Sequence, residues 1–119
     1  MSRNYVRASE RTALEVPVDF DLKDMTYSGV TRNISAGGVF VATRNLPKVG
    51  ETVNLRFHLP GNSRRLSVQT EVRWLREPTP WLDDKAPPGM GLRFISPAEG
   101  DVAALEEFLA RRDALMGKD

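Results

Sequence analysis

The sequence predicts a mainly β protein, a small antiparallel barrel of about six strands closed or plugged by one C-terminal α-helix. Three features predict it. From Leu14 to Phe94 apolar residues repeatedly alternate with polar ones, the period of a half-buried strand, and clusters of Gly, Pro, Asn and Asp separate the runs. After Pro97 the apolar period lengthens to that of a helix.

The elements follow in chain order. Leu14, Val16, Val18 and Phe20 form the first alternating set. Pro17 lies within it and has no backbone N–H to give a ladder, so this strand is expected at a sheet edge or with that position turned from its neighbour. The stretch DLKDMTYSG supplies turn residues, and YSGVTRNIS reads as a second strand. GVFVAT, Gly38 to Thr43, is short, β-branched and aromatic, as a third strand should be. After a connector with Pro47 and Gly50, Val53, Leu55, Phe57 and Leu59 alternate with Asn54, Arg56 and His58. PGNSRR then closes a hairpin onto Leu66, Val68, Thr70, Val72 and Trp74, a pattern that places Trp74 on the apolar face. Residues 77–88 contain four prolines and no periodicity, and read as a long loop that carries Trp81, Asp83 and Asp84. Met90, Leu92 and Phe94 give the last strand.

The helix is expected over about 97–116, with Val102, Leu105, Phe108 and Leu109 along its buried stripe. Ser96 is the expected N-cap, Pro97 fits the first turn, and Glu99 stands where a capping-box partner would. Arg111 and Arg112 fall late, at the negative end of the helix dipole.

Totals narrow the function. With 119 residues the chain is sized for one core, and no apolar run approaches the ~20 residues that span a bilayer. The polar start MSRNYVRASERTAL lacks the apolar stretch of a secretory signal, so a cytoplasmic protein is expected. Cysteine is absent and His58 is the sole histidine, which argues against a metal site; His58 alternates opposite Phe57 and so reads as solvent-facing, and with no nucleophile or acid partnered to it in a motif no catalytic site is expected. A net charge of +1 is too balanced for a general nucleic-acid binder. Its distribution says more, because residues 1–14 hold Arg3, Arg7 and Arg11 against Glu10 alone. That segment is suited to an anion.

Two short motifs carry the chemistry. In RASER, Arg7 and Arg11 stand four apart, a spacing that puts both side chains on one side of either a helix or an extended segment. Guanidinium is planar and permanently charged, so it grips phosphate oxygens in pairs and stacks on a flat base. In NISAGG, Asn33 offers donors and acceptors for a base edge, Ser35 a small hydroxyl, and Gly38 a backbone without a Cβ. Read alone, NISAGG is equally a turn whose polar side chains cap backbone groups and whose glycines take positive φ.

Taken together, an RxxxR pair (Arg7 to Arg11) followed about twenty residues later by (D/N)xSxxG (Asn33 to Gly38), with a strand between, closely resembles the PilZ domain family. The likeness extends to LEVPVDF after the arginines, GVFVAT after the glycines and PPGMGLRF near the end. It implies a six-stranded antiparallel β-barrel over 13–119 with a C-terminal helix, and a flexible segment 1–12 that carries RxxxR. It also implies that the ligand is the bacterial second messenger cyclic di-GMP. By position, Arg7 and Arg11 would clasp phosphates and stack on guanine, Asn33 and Ser35 would meet guanine edges, and Gly38 would leave room for the base. Val6 and Gly37 are further candidate contacts, Val6 at a place linked in the family to one or two stacked ligands. Asn33 stands where Asp is frequent, which removes a charge. The implied function is that of a non-enzymatic receptor that needs no cofactor. It would signal to a protein partner, or by self-association as a homodimer. The alternative is an interaction scaffold of the same fold that does not use the nucleotide.

Overall fold

A computed structural model describes residues 15–61, 64–80 and 86–115, the last four of these by backbone alone. Six strands are formed: β1 Pro17–Leu22, β2 Met25–Ile34, β3 Gly38–Ala42, β4 Thr52–His58, β5 Arg65–Arg76 and β6 Gly89–Phe94. One helix, α1, follows at Glu99–Leu115. The strands close into a barrel in the order β1-β2-β3-β6-β5-β4, with every neighbouring pair antiparallel. The predicted mainly β fold, an antiparallel barrel of six strands with a C-terminal helix, is what the chain adopts.

Alternation explains most of the packing. Val18 and Phe20 of β1, Val53, Leu55 and Phe57 of β4, Leu66, Val68 and Val72 of β5, and Met90, Leu92 and Phe94 of β6 all enter one core. Phe20, Ile34, Leu55, Leu59, Leu66 and Met90 are each below 2% exposed, so the interior of the barrel is filled with side chains. Each such burial contributes roughly 1.5–3 kcal/mol. Two buried hydroxyls interrupt the apolar lining and are satisfied: Thr70 Oγ1 donates to Val53 O at 2.8 Å, and Thr31 Oγ1 accepts from Val16 N at 2.9 Å. Leu105 and Phe108 of α1, with Ala104, complete the core, Leu109 packs half-buried against it, and Val102 is half-buried.

Several expectations are corrected. No strand is left at an edge, but Pro17 does mark a limit, for the β1–β4 register runs only through Asp19–Arg56, Phe20–Leu55 and Asp21–Asn54. A residue without N–H cannot extend that ladder. The β1–β2 connection is tighter than the turn residues imply. Leu22 pairs with Met25, Lys23 takes the left-handed region at φ 60°, and β2 runs for ten residues. Ser96 does not cap α1, since it adopts φ 41° and the helix begins three residues later at Glu99. The carbonyl of Ala98 instead receives the first-turn N–H groups of Asp101 and Val102, each at 3.0 Å. Asp101, buried at 6%, accepts from Arg64 Nε at 2.8 Å and ties the helix to the β4–β5 connection.

Trp74 is the largest correction. The register of β5 against β6 shifts between Val72 and Trp74, where Arg73 is the extra residue of a β-bulge. An inserted residue reverses the alternation, so Leu75 turns inward against the core and Trp74 faces out, 45% exposed. A second shift, between Thr31 and Asn33 of β2, has Arg32 as its extra residue. Thr31 and Ile34 are both wholly buried, and Asn33 between them is not. Among the described residues no helix is long and apolar enough to cross a membrane.

Candidate ligand-binding face

Directly paired residues of neighbouring strands share a face. Asn33 pairs with Phe40, Phe40 with Gly91, and Gly91 with Trp74. One outward row therefore crosses four strands, with the residues following the two bulges at its ends. Phe40 lies on this outer face yet is only 3% exposed, because other groups cover it. Its ring stacks on Trp74 with centroids 5.2 Å apart and planes at 22°. The Arg76 guanidinium lies 4.8 Å from the Phe40 centroid and 5.6 Å from that of Trp74, and its Nη1 donates to Pro87 O at 3.1 Å.

Glycines of β6 make this stack possible. A Cβ on Gly91 would lie 2.1 Å from Trp74 Nε1, and one on Gly89 would lie 2.5 Å from Phe40 Cζ. The indole thus rests directly on the strand backbone. Beside it is a cleft of about 250 Å³ lined by Ser35, Gly37, Gly38, Arg73, Trp74 and Arg93, among others. A larger depression of about 510 Å³ occupies the opposite β1–β4 seam, near Pro17, Arg56, His58 and Arg65. None of Asn33 to Gly38 lines it, so the smaller cleft is the one that the sequence motif addresses.

The NISAGG segment is both the turn and part of the cleft. Ser35 N donates to Gly38 O at 2.9 Å, Ser35 Oγ donates to the same oxygen at 3.3 Å, and Gly37 N donates to Ser35 Oγ at 3.3 Å. Gly37 O in turn accepts from Phe94 N at 3.0 Å, which fastens the turn to β6. Neither Gly37 nor Gly38 is among the residues at positive φ, so the glycines are not there for backbone handedness. Gly38 answers to strand packing, for its Cβ would lie 2.2 Å from the Leu92 carbonyl oxygen. Gly37 has no atom within 4 Å of its Cβ direction and opens onto the cleft.

Charge gathers at one rim. Arg93, opposite Gly38 in register, donates from Nη2 to Glu71 Oε1 at 2.7 Å, and Arg73 Nη1 approaches that same oxygen at 3.4 Å. The Arg93 hydrogen bond, reinforced by the nearby Arg73, holds the Glu71 carboxyl below its usual range. At the other end of the row, Arg32 Nη1 pairs with Glu15 Oε2 at 3.2 Å, so the start of the described chain is held next to Asn33. Arg7, Arg11 and Val6 lie outside the described residues, as do Trp81, Asp83 and Asp84.

Of the expected site residues, Asn33, Ser35, Gly37 and Gly38 are brought to one outer face. Phe40, Arg73, Trp74, Arg76 and Arg93 complete that face and were not anticipated. The adjacency of Trp74 and Leu75 was the available signal, since two large apolar neighbours in a strand cannot both face the core. Among the described residues no group of three or more acidic or histidine side chains is placed to hold a metal ion.

The barrel is closed and its interior packed, so the polar, aromatic cleft on its wall is the candidate site of this domain. The chain belongs to the PilZ domain family, whose model matches residues 3–111. Among solved structures it is similar to the inhibitor of motility MotI/DgrA of Bacillus subtilis, at 27% identity and TM-score 0.72 over 87% of this chain. It spans about half of that protein, 49% of its length. It also resembles the PilZ domain of YcgR from Escherichia coli, solved with c-di-GMP, at 14% identity and TM-score 0.63 over 84% of each chain. A third likeness is to the PilZ domain of CeSA from a cellulose-synthesizing bacterium, at 16% identity and TM-score 0.60, covering 87% of this chain and 97% of that one. No curated protein matches the chain.

Proposed function

We propose that the chain is a receptor for cyclic di-GMP that binds the dinucleotide on the outer face between β2 and β5. The observation that carries this reading is the four-strand row from Asn33 to Trp74, with the Ser35–Gly38 turn and two arginines beside it. A flat dianion with two purines calls for an aromatic platform, edge-reading polar groups and cationic planes, and this face has each. Family membership and the cyclic di-GMP complex of YcgR agree with it.

The arginines at 7 and 11 are within reach of the face. Glu15 is held at Arg32, and at ~3.5 Å per residue Arg11 sits at most about 14 Å along the chain from it, Arg7 at most about 28 Å. In this reading Arg7 and Arg11 clasp the phosphates, Asn33 and Ser35 meet a guanine edge, and Trp74 stacks on a base. Val6 and Gly37 flank the ligand. Closure of residues 1–12 over the cleft changes the surface shown to a partner protein or to a second copy, which is how occupancy is transmitted.

Titration calorimetry tests this. Cyclic di-GMP gives saturable heat with the parent chain, and Arg11→Ala weakens binding by more than about 1.5 kcal/mol, the scale of a charged hydrogen bond, with an unchanged melting temperature of the free protein. Absence of heat and of competition at high micromolar ligand refutes the receptor reading and leaves the scaffold of the same fold.

A further inference from the structure

We infer that Glu71 is a built-in counter-anion of the ligand face, occupying the cationic rim of the cleft and opposing every anion that binds there. This rests on the reading of the outer face as the ligand site. The registers place it: Gly38 pairs with Arg93 and Arg93 with Glu71, so these three form the outward row next to the one that runs from Asn33 to Trp74. One oxygen, Glu71 Oε1, meets Arg93 Nη2 at 2.7 Å and Arg73 Nη1 at 3.4 Å. Both arginines line the cleft together with Ser35, Gly37 and Gly38. Two like charges sharing a rim repel one another, and the single carboxylate between them relieves that repulsion in the free protein.

The same carboxylate repels an incoming phosphate. Arg73 and Arg93 are 57% and 52% exposed and Glu71 30%, and pairs this open to water are weak enough for a competing anion to displace. A phosphodiester offers two oxygens to a guanidinium, where Glu71 presents one oxygen to two guanidiniums. The consequence is selective. A small anion gains only the rim arginines and must overcome Glu71 to do so, whereas a dinucleotide adds stacking on Trp74 and contacts along the row. Glu71 is thus a specificity residue that raises the threshold for simple phosphates. It acts through Arg93 and Arg73.

Glu71→Gln keeps the size of the side chain and removes its charge. The variant binds cyclic di-GMP about three- to tenfold more tightly than the parent, and binding weakens more steeply with added salt. In an Arg93→Gln background the gain falls by at least about half, as coupling through that guanidinium requires. Glu71→Thr, also uncharged and suited to a strand, is measured beside it, so the conclusion does not depend on one variant folding. Equal or weaker binding by the uncharged variants, or an undiminished gain without Arg93, overturns the inference. Inorganic pyrophosphate separates the two readings. If the parent takes up no cyclic di-GMP, the receptor reading fails on its own, while tighter pyrophosphate binding by Glu71→Gln upholds the counter-anion and equal binding refutes it.

Discussion

Replacing Gly91 by Ala tests whether the aromatic platform depends on a bare strand backbone. The added methyl would stand 2.1 Å from Trp74 Nε1 and 2.4 Å from Cε2. Ordinary carbon contacts begin near 3.5 Å, so the indole must lift by about 1.4 Å or turn away. Lifting it weakens the stack on Phe40, a geometry worth about 0.5–1.5 kcal/mol. It also uncovers part of a ring now 3% exposed, and some 40 Å² of fresh apolar surface costs about 1 kcal/mol. Alanine restricts the unfolded chain more than glycine does, which returns about 0.4–1 kcal/mol. The net expectation is a loss of about 0.5–2 kcal/mol. Urea denaturation measures it, and near-ultraviolet circular dichroism reports the loosened indole. A Gly91→Ala chain as stable as the parent, with an unaltered tryptophan band, refutes the claim that Trp74 lies on β6.

Two further expectations concern the scaffold. Asp21 accepts from both Arg56 Nη groups and from Thr26 Oγ1, and the Arg56 hydrogen bonds hold its carboxyl far below the ordinary value of 3.8. A carboxylate whose folded pKa is depressed stabilises the fold above its unfolded pKa and ceases to as pH falls toward the folded one. The parent therefore loses stability as pH drops below about 4, and Asp21→Asn, less stable at neutral pH, shows a flatter loss over that range in thermal melts. Asp101→Ala removes the buried acceptor of Arg64 and destabilises the chain by about 1–2 kcal/mol, as for a charged hydrogen bond with one exposed partner. Hydrogen exchange checks it by faster exchange in α1 than in β4 and β5, and uniform exchange contradicts the tie.

How far the sequence led depended on whether periodicity held. The β4–β5 hairpin, β3, β6 and the stripe of α1 were all apparent because their alternation or helical spacing is unbroken. The reading failed wherever one residue changed the phase. Counting by twos from Leu66 carried Trp74 into the core, and only the bulge at Arg73 sends it out. Ser96 fitted a capping pattern, but its left-handed backbone and a later helix start leave the first turn to Ala98 and Asp101. Gly38 was expected to leave room for a ligand, and it does line the cleft; the Leu92 carbonyl, 2.2 Å from where its Cβ would stand, is a separate packing reason for glycine that the sequence does not announce. Glu71 and Arg93 are 22 positions apart on strands separated by the long loop, a pairing that single-sequence spacing does not announce.

The bulges also explain why the candidate site is on the barrel wall. A barrel of six strands whose interior holds Phe20, Leu55, Leu66 and Met90 has no room for a dinucleotide, so any ligand meets the wall. Strict alternation would direct Asn33 inward after Thr31, and Trp74 inward after Val72, and would turn Ile34 and Leu75 out to water. An inward amide there would need a partner in an apolar core, and an inward indole would overfill it. One extra residue in β2 and one in β5 bring both outward, at the two ends of a single row, over β3 and β6 strands that stay in regular register. The cost is local loss of ladder bonds at Arg32 and Arg73. Both extra residues are arginines, one anchoring the chain at Glu15 and the other at the cleft rim beside Glu71. The same two insertions that turn Asn33 and Trp74 outward thus also set charge around them, which ties the proposed ligand face to the register of the barrel itself.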